Sequence, residues 1–283
     1  MTETTRIPCS VPILTLNSKE NLQILLPLSV KNFEDVFLID GNSTDGTQEY
    51  AKSLGVRVEK QSDSEEPNLR IADFRQARLR SWKMCKFPWV FYLDSDQIPT
   101  QEAVELIRRI VHENEIKQVH QLKRYPRLSD GRVIRNTPFY GYYVALFNLD
   151  SDVTLADRKV HERFVVPADV KTINHDEAII CPEPNPQAMR MRSRGYIRAE
   201  NESLSSVSVV YLFKWILWFN ARSFFGQFYR VVKTDIENHL AGQPSLPWSY
   251  NLVFLEYRWL SMTSNFHTWL KNRKRNNKVI GLD

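Results

Sequence analysis

Two carboxylates separated by a single residue, Asp94 and Asp96, directly follow the apolar residues 91–93. Carboxylates this close at the end of a strand can converge on one hard cation, which usually keeps some water and also binds substrate phosphates. Such a cation can neutralise a departing diphosphate. The alternative interpretation is a turn that ends a strand and carries two solvated acids. An EF-hand is disfavoured, because Ile98 and Pro99 occupy positions where that calcium loop would continue.

A second segment with chemical potential is residues 40–47, Asp-Gly-Asn-Ser-Thr-Asp-Gly-Thr. Its two glycines have the spacing of a phosphate-binding P-loop, but Thr47 stands where the lysine of that loop belongs, which excludes this interpretation. A carboxylate such as Asp40 at the end of a strand can accept hydrogen bonds from a nucleobase or a ribose. A capped strand-to-helix turn would explain the same residues.

The elements that must position these acids alternate along the first hundred residues. Short apolar runs at 11–16, 36–39, 56–59 and 89–93 predict strands, and helical patterns follow at 20–28, 47–54, 73–85 and 100–113. This alternation predicts βαβ units and a largely parallel sheet. Ligands bind beyond the carboxyl ends of the strands in such sheets, and Asp40 and Asp94 both fall there. Strands and loops are expected over 119–180, and helices from Met189 onward.

Taken in this order, the motifs resemble those of the family 2 glycosyltransferases, which have the GT-A fold. The resemblance is carried by residues 15–22, residues 40–47, the pair Ala77-Arg78, and Asp94-Ser95-Asp96 at the end of an aromatic strand. It covers about the first hundred residues closely and extends more weakly to about residue 200. Two positions depart from the family pattern: Gln97 replaces a frequent acid and Leu79 replaces a frequent asparagine.

The resemblance implies a mixed, mainly parallel sheet flanked by helices, with a C-terminal helical extension. We therefore expect a catalytic domain over residues 1–185 and a helical, membrane-associating region over 186–283. It also implies binding of a nucleoside-diphosphate sugar by side chains near the strand ends, namely Thr15, Asn17, Asp40, Asp45, Arg78 and Asp94. Asp96 is expected to bind Mg²⁺ or Mn²⁺ on the diphosphate, with His175 as a further metal ligand.

Residues 157–162, Asp-Arg-Lys-Val-His-Glu, are similar to a segment of the lipopolysaccharide-core glucosyltransferase group within that family. An inverting transfer needs one base to deprotonate the acceptor hydroxyl. The resemblance makes Glu162 the candidate base, with Asp176 or Glu177 as alternatives. The implied activity is hexosyl transfer to a glycan or lipid-linked acceptor, in cell-surface polysaccharide or lipopolysaccharide biosynthesis.

The bulk properties of the chain set limits on its partners and location. Its formal charge is +5. Its three cysteines, Cys9, Cys85 and Cys181, are far apart in the sequence, which disfavours a zinc site and fits a reducing compartment. No signal peptide and no apolar run of transmembrane length are visible.

The last third of the chain combines apolar, aromatic and basic segments. Apolar aromatic stretches at 207–219 and 252–259, followed by a basic cluster at 271–278, predict peripheral contact with a membrane. We therefore expect a cytoplasmic protein at the inner face of the cytoplasmic membrane, with no nucleic-acid partner. Two other functions are a nucleotidyltransferase on a similar fold, and a non-catalytic membrane-interaction protein with a degenerate transferase fold.

Overall fold

The structure, a computed structural model, describes residues 5–157, 163–202, 210, 213–214 and 218–280. Their contacts form two compact units. The sheet unit comprises Met1–Tyr125 and Tyr140–Pro182, and the helical unit comprises Pro126–Phe139 and Glu183–Asp283. The segment Pro126–Phe139 belongs with the helices although no sequence signal separated it from its neighbours.

The first four helices follow the predicted alternation with strands. The strands are β1 (Ile7–Thr15), β2 (Phe33–Asp40), β3 (Arg57–Lys60), β4 (Trp89–Phe91), β5 (Leu93–Asp94), β6 (Ile98–Pro99), β7 (Gln118–Arg127), β8 (Tyr142–Asn148), β9 (Thr154–Leu155), β10 (Phe164–Val165) and β11 (Lys171–Pro182). The helices are α1 (Lys19–Asn32), α2 (Thr47–Ser53), α3 (Phe74–Trp82), α4 (Gln101–Glu113), α5 (Pro186–Glu202), α6 (Phe219–Leu240) and α7 (Trp248–Ile280).

The main sheet is mixed, with strand order β3-β2-β1-β4-β8-β7-β11-β6, and β5 pairs with β1. Strands β3, β2, β1 and β4 are parallel, whereas β8 runs antiparallel to both β4 and β7. Helices accompany the sheet and follow it at the C-terminal end of the chain. The predicted α/β fold class is therefore confirmed.

The central parallel strands β1, β2 and β4 are buried on both faces, as expected for strands covered by helices. Phe33 of β2 and Phe91 of β4 are buried, with ring centroids 5.5 Å apart. Helix α1 packs Leu22, Leu25 and Leu26 into the same core. Strand β1 begins at Ile7, earlier than predicted, because its first residues already pair with β2.

Local capping sets the start of two helices near the predicted positions. Asp73 caps α3 by accepting a hydrogen bond from the Gln76 N–H at 3.0 Å, and Thr100 caps α4 by accepting from the Ala103 N–H at 3.3 Å. Helix α4 ends at Asn114, whose φ of 54° is left-handed. These caps hold the helices on either side of the Asp94–Asp96 turn.

The helical unit has its own core between α5, α7 and the segment Pro126–Phe139. Buried members include Leu128, Ile134, Met189 and Val253. The Arg190 guanidinium also donates to both oxygens of Glu256, at 2.7 and 3.3 Å. No helix among the described residues is long and apolar enough to cross a membrane.

Candidate active site

The register of the parallel strands brings the ends of three strands to one edge of the sheet. Thr15 of β1 pairs with Asp40 of β2, and Leu14 pairs with Asp94 of β5. The loops that follow these strands are also in contact. The Ser18 N–H donates to the Thr47 hydroxyl at 2.9 Å, and the hydroxyls of Ser18 and Ser95 lie 3.1 Å apart. The three motifs found in the sequence therefore form one constellation.

Asp40 lies at the centre of this edge, but it does not face solvent. Its side chain is buried at 1% exposure and accepts hydrogen bonds from the Thr15 and Ser43 hydroxyls, the Ser43 N–H and the Gln48 amide, at 2.6–2.9 Å. A carboxylate offers about four acceptor positions, so all are in use. Asp40 therefore fixes the loop after β2, and its expected contact with the nucleotide stays a prediction.

Asn17 lies on the solvent side of the same constellation. Its N–H donates to the Ser43 hydroxyl at 2.8 Å, its amide oxygen accepts from the Thr44 N–H at 3.0 Å, and its amide nitrogen donates to Asn68 at 2.9 Å. Its φ of 49° is left-handed, which asparagine tolerates. Asn17 thus joins the first loop, the second loop and the segment around Asn68.

The segment around Asn68 passes close to the backbone of Gly41. The Leu69 N–H donates to the Gly41 carbonyl at 2.7 Å, and a Cβ on Gly41 would lie 2.3 Å from the Leu69 carbonyl oxygen. Only glycine fits such an approach. The first glycine of the second motif is therefore required for packing between loops.

Asp45 holds the start of α2 through its side-chain hydrogen bonds. Its carboxylate accepts from the N–H and hydroxyl of Thr47 at 2.9 and 2.5 Å, and from the Lys19 N–H at 3.1 Å. Partial burial acts to raise the pKa of Asp45, but these hydrogen bonds outweigh it and lower that pKa. Asp45 therefore stays ionised and connects α1 with α2.

Arg78 is a buried cation directed at the first acid of the Asp94–Asp96 turn. Its side chain is 2% exposed, forms an ion pair with Asp94 and donates to the Leu93 carbonyl at 3.3 Å. Its guanidinium also lies over the Tyr92 ring, 4.1 Å from the centroid. The Asp94 side chain remains 43% exposed, so one face is available to a ligand.

Gln97 closes the turn at the position where the family often has an acid. It is 3% exposed, and its amide donates to the free oxygen of Asp94 at 2.8 Å while accepting from the Asp94 N–H at 3.3 Å. A carboxylate at this position could not donate that hydrogen bond. The departure from the family pattern therefore stabilises the orientation of Asp94.

The two predicted metal ligands are not brought together. Ile98 pairs with Ile180 in antiparallel register, so Asp96 continues beyond one side of this pair. His175 lies five residues before Ile180 along β11, on the other side of the pair. At the usual rise per residue, its Cα is about 16 Å from that of Ile180. No cluster of three or more His, Cys, Asp or Glu side chains that could hold a metal ion occurs in the part of the chain that the structure describes.

The residues present fit a metal that is held mainly by a substrate. Asp94 binds Arg78 and Gln97, and Asp96, two residues further along a half-exposed turn, is the carboxylate that the resemblance assigns to the cation. Mg²⁺ in phosphate sites commonly binds one or two protein carboxylates together with phosphate oxygens and water. A cage built from protein ligands alone is not needed.

His175 instead forms a pair with His120 of β7. The His120 Nδ1 and His175 Nε2 atoms are 3.0 Å apart, and His120 is 2% exposed. Burial, with a smaller contribution from His175, lowers the pKa of His120 to about 4. Burial also lowers the pKa of His175. Both rings are therefore neutral at neutral pH.

Asp176, an alternative base, binds two neighbouring side chains through one carboxylate oxygen. Its carboxylate accepts from Lys123 at 2.6 Å and from the Tyr142 hydroxyl at 3.0 Å. These hydrogen bonds lower the pKa of Asp176, which makes it a weaker base. Glu177 is half-buried on the same strand. Glu162, the first candidate, lies outside the described residues together with residues 158–161.

Comparisons with known proteins find similarity only in solved structures. No protein-family model and no curated protein sequence matches the chain. Glucosyl-3-phosphoglycerate synthase from Mycobacterium tuberculosis, solved with Mn²⁺, UDP and glucosyl-3-phosphoglycerate, is 23% identical over 43% of this chain and 44% of that chain, with a TM-score of 0.32. TarS from S. aureus is 13% identical over 95% of this chain and 55% of its own, with a TM-score of 0.42.

The chain thus spans about half the length of the solved structures it matches. A likeness of this extent does not assign a function to the chain. The arrangement of the side chains at the sheet edge must carry that assignment.

Several residues of this edge carried no sequence signal. Gln48 and Gln97 each bind an aspartate, but although they directly follow Thr47 and Asp96, the sequence assigned no role to their amides. Lys123 and Tyr142 come from different strands, and only the pairing of β7 with β8 brings them together. The strands themselves were predictable, whereas the register that joins these side chains was not.

Proposed function

We propose that the chain is a GT-A glycosyltransferase of the family 2 kind, which transfers a sugar from a nucleoside-diphosphate sugar to an acceptor hydroxyl. The observation that carries the proposal is the joining of the three strand ends at one edge. The loops after β1, β2 and β5 are tied together through Ser18, Thr47 and Ser95, beside the Asp94–Asp96 turn. This edge is where ligands bind in open α/β sheets.

The donor would lie against the exposed parts of this edge. Thr15 and Asp40 hold the loop from within, so the nucleotide would contact the outer residues that this loop presents, with Asn17 among them. Asp94, held in place by Arg78 and Gln97, would accept hydrogen bonds from the ribose or the sugar hydroxyls through its exposed face. These fixed positions would orient the donor at little entropic cost.

The donor diphosphate carries the charge that must be neutralised as the nucleotide departs. A bound Mg²⁺ or Mn²⁺ supplies that neutralisation. Asp96 would be its protein ligand, beside phosphate oxygens and water. His175 has no place in this arrangement, because it is directed to His120.

An inverting transfer would need a base opposite the departing nucleotide. Glu162 is our candidate, by its similarity to the lipopolysaccharide-core group. Asp176 is less suited, because Lys123 and Tyr142 both bind its Oδ1 and lower its pKa. We propose a hexose as the transferred sugar, and a surface glycan or a lipid-linked intermediate as the acceptor.

The test is divalent-metal-dependent hydrolysis or transfer with UDP-, GDP- and dTDP-hexoses. We expect one nucleotide to be released with Mn²⁺ or Mg²⁺ and not with a chelator present. Release that is independent of metal would contradict the role of Asp96. No release from any of the donors, with or without acceptor, would contradict the proposed function.

A further inference from the structure

Helix α6 exposes a continuous row of large apolar side chains on one face. With Trp218, the residue just before the helix, the row consists of Trp218, Phe225, Tyr229, Ile236 and Leu240, and we call it the α6 stripe. Their exposed fractions are 66%, 68%, 65%, 55% and 81%. The spacing of seven and four residues places all five within an arc of about 60°. The stripe is about 33 Å long.

The opposite face of α6 is the one that packs within the helical unit. Asn220, Val231 and Asn238 are buried there, and the Asn238 amide donates to the Asn136 carbonyl at 3.1 Å. The Phe224 ring, on the same side of the helix, lies 6.3 Å from that of Trp259 on α7. Because α6 already has its packing face, the stripe contributes nothing to the core of the unit. Exposed apolar surface of this extent marks an interaction site.

Charge decides which partner fits the stripe. Arg222 and Lys233 lie at its edge, and Arg230 lies further round the helix. The charge of Lys233 is partly compensated by Glu237, whose carboxylate lies 3.6 Å from the ammonium group. The segments of the helical unit nevertheless contain 17 lysines and arginines against 8 acids, a formal charge of +9. A second copy of the chain would bring a like charge against this surface, but an anionic bilayer would bring the opposite charge.

We propose that the α6 stripe lies in the interface of an anionic lipid bilayer, parallel to its surface. Tryptophan, phenylalanine and tyrosine beside arginine and lysine are the side chains that such interfacial helices use. Apart from Trp218, which lies in the apolar stretch 207–219, this surface differs from the tail segments that the sequence singled out. Of those, 207–219 lies mostly outside the described residues, and the side chains at 272–278 are not described. The inference does not depend on the proposed transfer reaction.

The test is sedimentation of the full-length chain with vesicles of phosphatidylcholine, with and without phosphatidylglycerol. We expect sedimentation with the anionic vesicles, and less of it at high salt, because salt screens the charged part of the attraction. The double variant Phe225→Ser, Tyr229→Ser should bind these vesicles at least about tenfold more weakly, since two rings leave the interface. Ile24→Ser, which changes a side chain 52% exposed on α1, is the matched control and should bind as wild type.

A second variant separates charge from apolar contact. Arg222→Glu, Arg230→Glu should weaken binding to anionic vesicles and leave the weak binding to pure phosphatidylcholine unchanged. Failure of the wild type to sediment with anionic vesicles at low salt would overturn the proposal. Equal binding by the Phe225/Tyr229 variant would overturn it as well. Concentration-dependent dimers that this variant abolishes, without vesicle binding by wild type, would assign the stripe to a second copy of the chain.

Discussion

The sheet unit and the helical unit differ in formal charge and in the number of large apolar side chains that they expose. The sheet unit has a formal charge of −4 and the helical unit one of +9. Among the described residues, 15 of the large exposed apolar side chains belong to the helical unit and four to the sheet unit. The sheet unit directs its polar groups inward, onto Asp40 and Asp94. This difference agrees with the proposed donor site in one unit and the proposed membrane surface in the other.

We expect the largest effect from a single substitution at the polar site of the sheet unit. Asp96→Asn should lower metal-dependent transfer by at least about a hundredfold, as expected when a charge-stabilising group at a departing phosphate is lost. Initial rates over a range of Mn²⁺ concentrations measure it. Asp169→Asn, an exposed carboxylate paired with Lys117, is the control and should keep full activity. Full activity of Asp96→Asn would remove the metal role from this residue.

Arg78→Met tests whether the buried cation holds the site together. The substitution leaves Asp94 without its ion pair and removes the guanidinium from the Tyr92 ring. Because Asp94 is partly solvated, we expect a loss of about 2–3 kcal/mol in the free energy of unfolding, below the value for a fully buried pair. Urea denaturation measures it. Arg80→Met on the same helix, 42% exposed, should change stability by less than about 0.5 kcal/mol.

The histidine pair predicts acid sensitivity of the sheet unit. The pKa of His120 is about 4 in the fold and that of an unfolded histidine is near 6.5, so the unfolded chain binds the proton first as the pH falls. Stability should therefore decline between about pH 6.5 and pH 4, by roughly 2–3 kcal/mol from this group. His120→Gln should flatten that part of the stability curve.

Asp40→Asn distinguishes a loop-fixing role from direct nucleotide contact. The amide NH₂ of asparagine would face the Ser43 and Gln48 groups that donate to Asp40. The free energy of unfolding of the ligand-free protein should therefore fall by about 1–3 kcal/mol. Thermal denaturation of the ligand-free variant provides the measurement. An unchanged melting temperature combined with weaker donor binding would instead mean that Asp40 contacts the nucleotide.

The smallest effect is expected on the stripe of the helical unit. Phe225→Ser should change the free energy of unfolding by less than about 0.5 kcal/mol, because the side chain is 68% exposed and its ring meets that of the neighbouring Phe224 only edge-on, at 5.5 Å. Phe91→Ala in the sheet unit should cost about 3–5 kcal/mol, since that ring is fully buried. Denaturant unfolding curves of the two variants, each measured beside wild type, compare these losses. A large loss from Phe225→Ser would show that the stripe is part of a core.

The sequence was sufficient for the alternation of strands and helices, because apolar runs and caps such as Asp73 and Thr100 are local signals. It was also sufficient for the position of Asp40 and Asp94 at strand ends. It could not show that Asp40 is buried, because its partners Thr15 and Gln48 lie on β1 and α2. His175 illustrates the same limit. Its partner, His120, lies 55 residues away, and only strand pairing joins them.

Binding of the donor in the presence of metal tests the central claim most directly. The melting temperature of the wild-type chain would be measured with UDP-, GDP- and dTDP-hexoses, each with Mn²⁺ and with a chelator. We predict that one donor raises the melting temperature only when Mn²⁺ is present, and that Asp96→Asn abolishes this rise. If none of the donors changes the melting temperature with Mn²⁺, the sheet edge is not a nucleotide-sugar site.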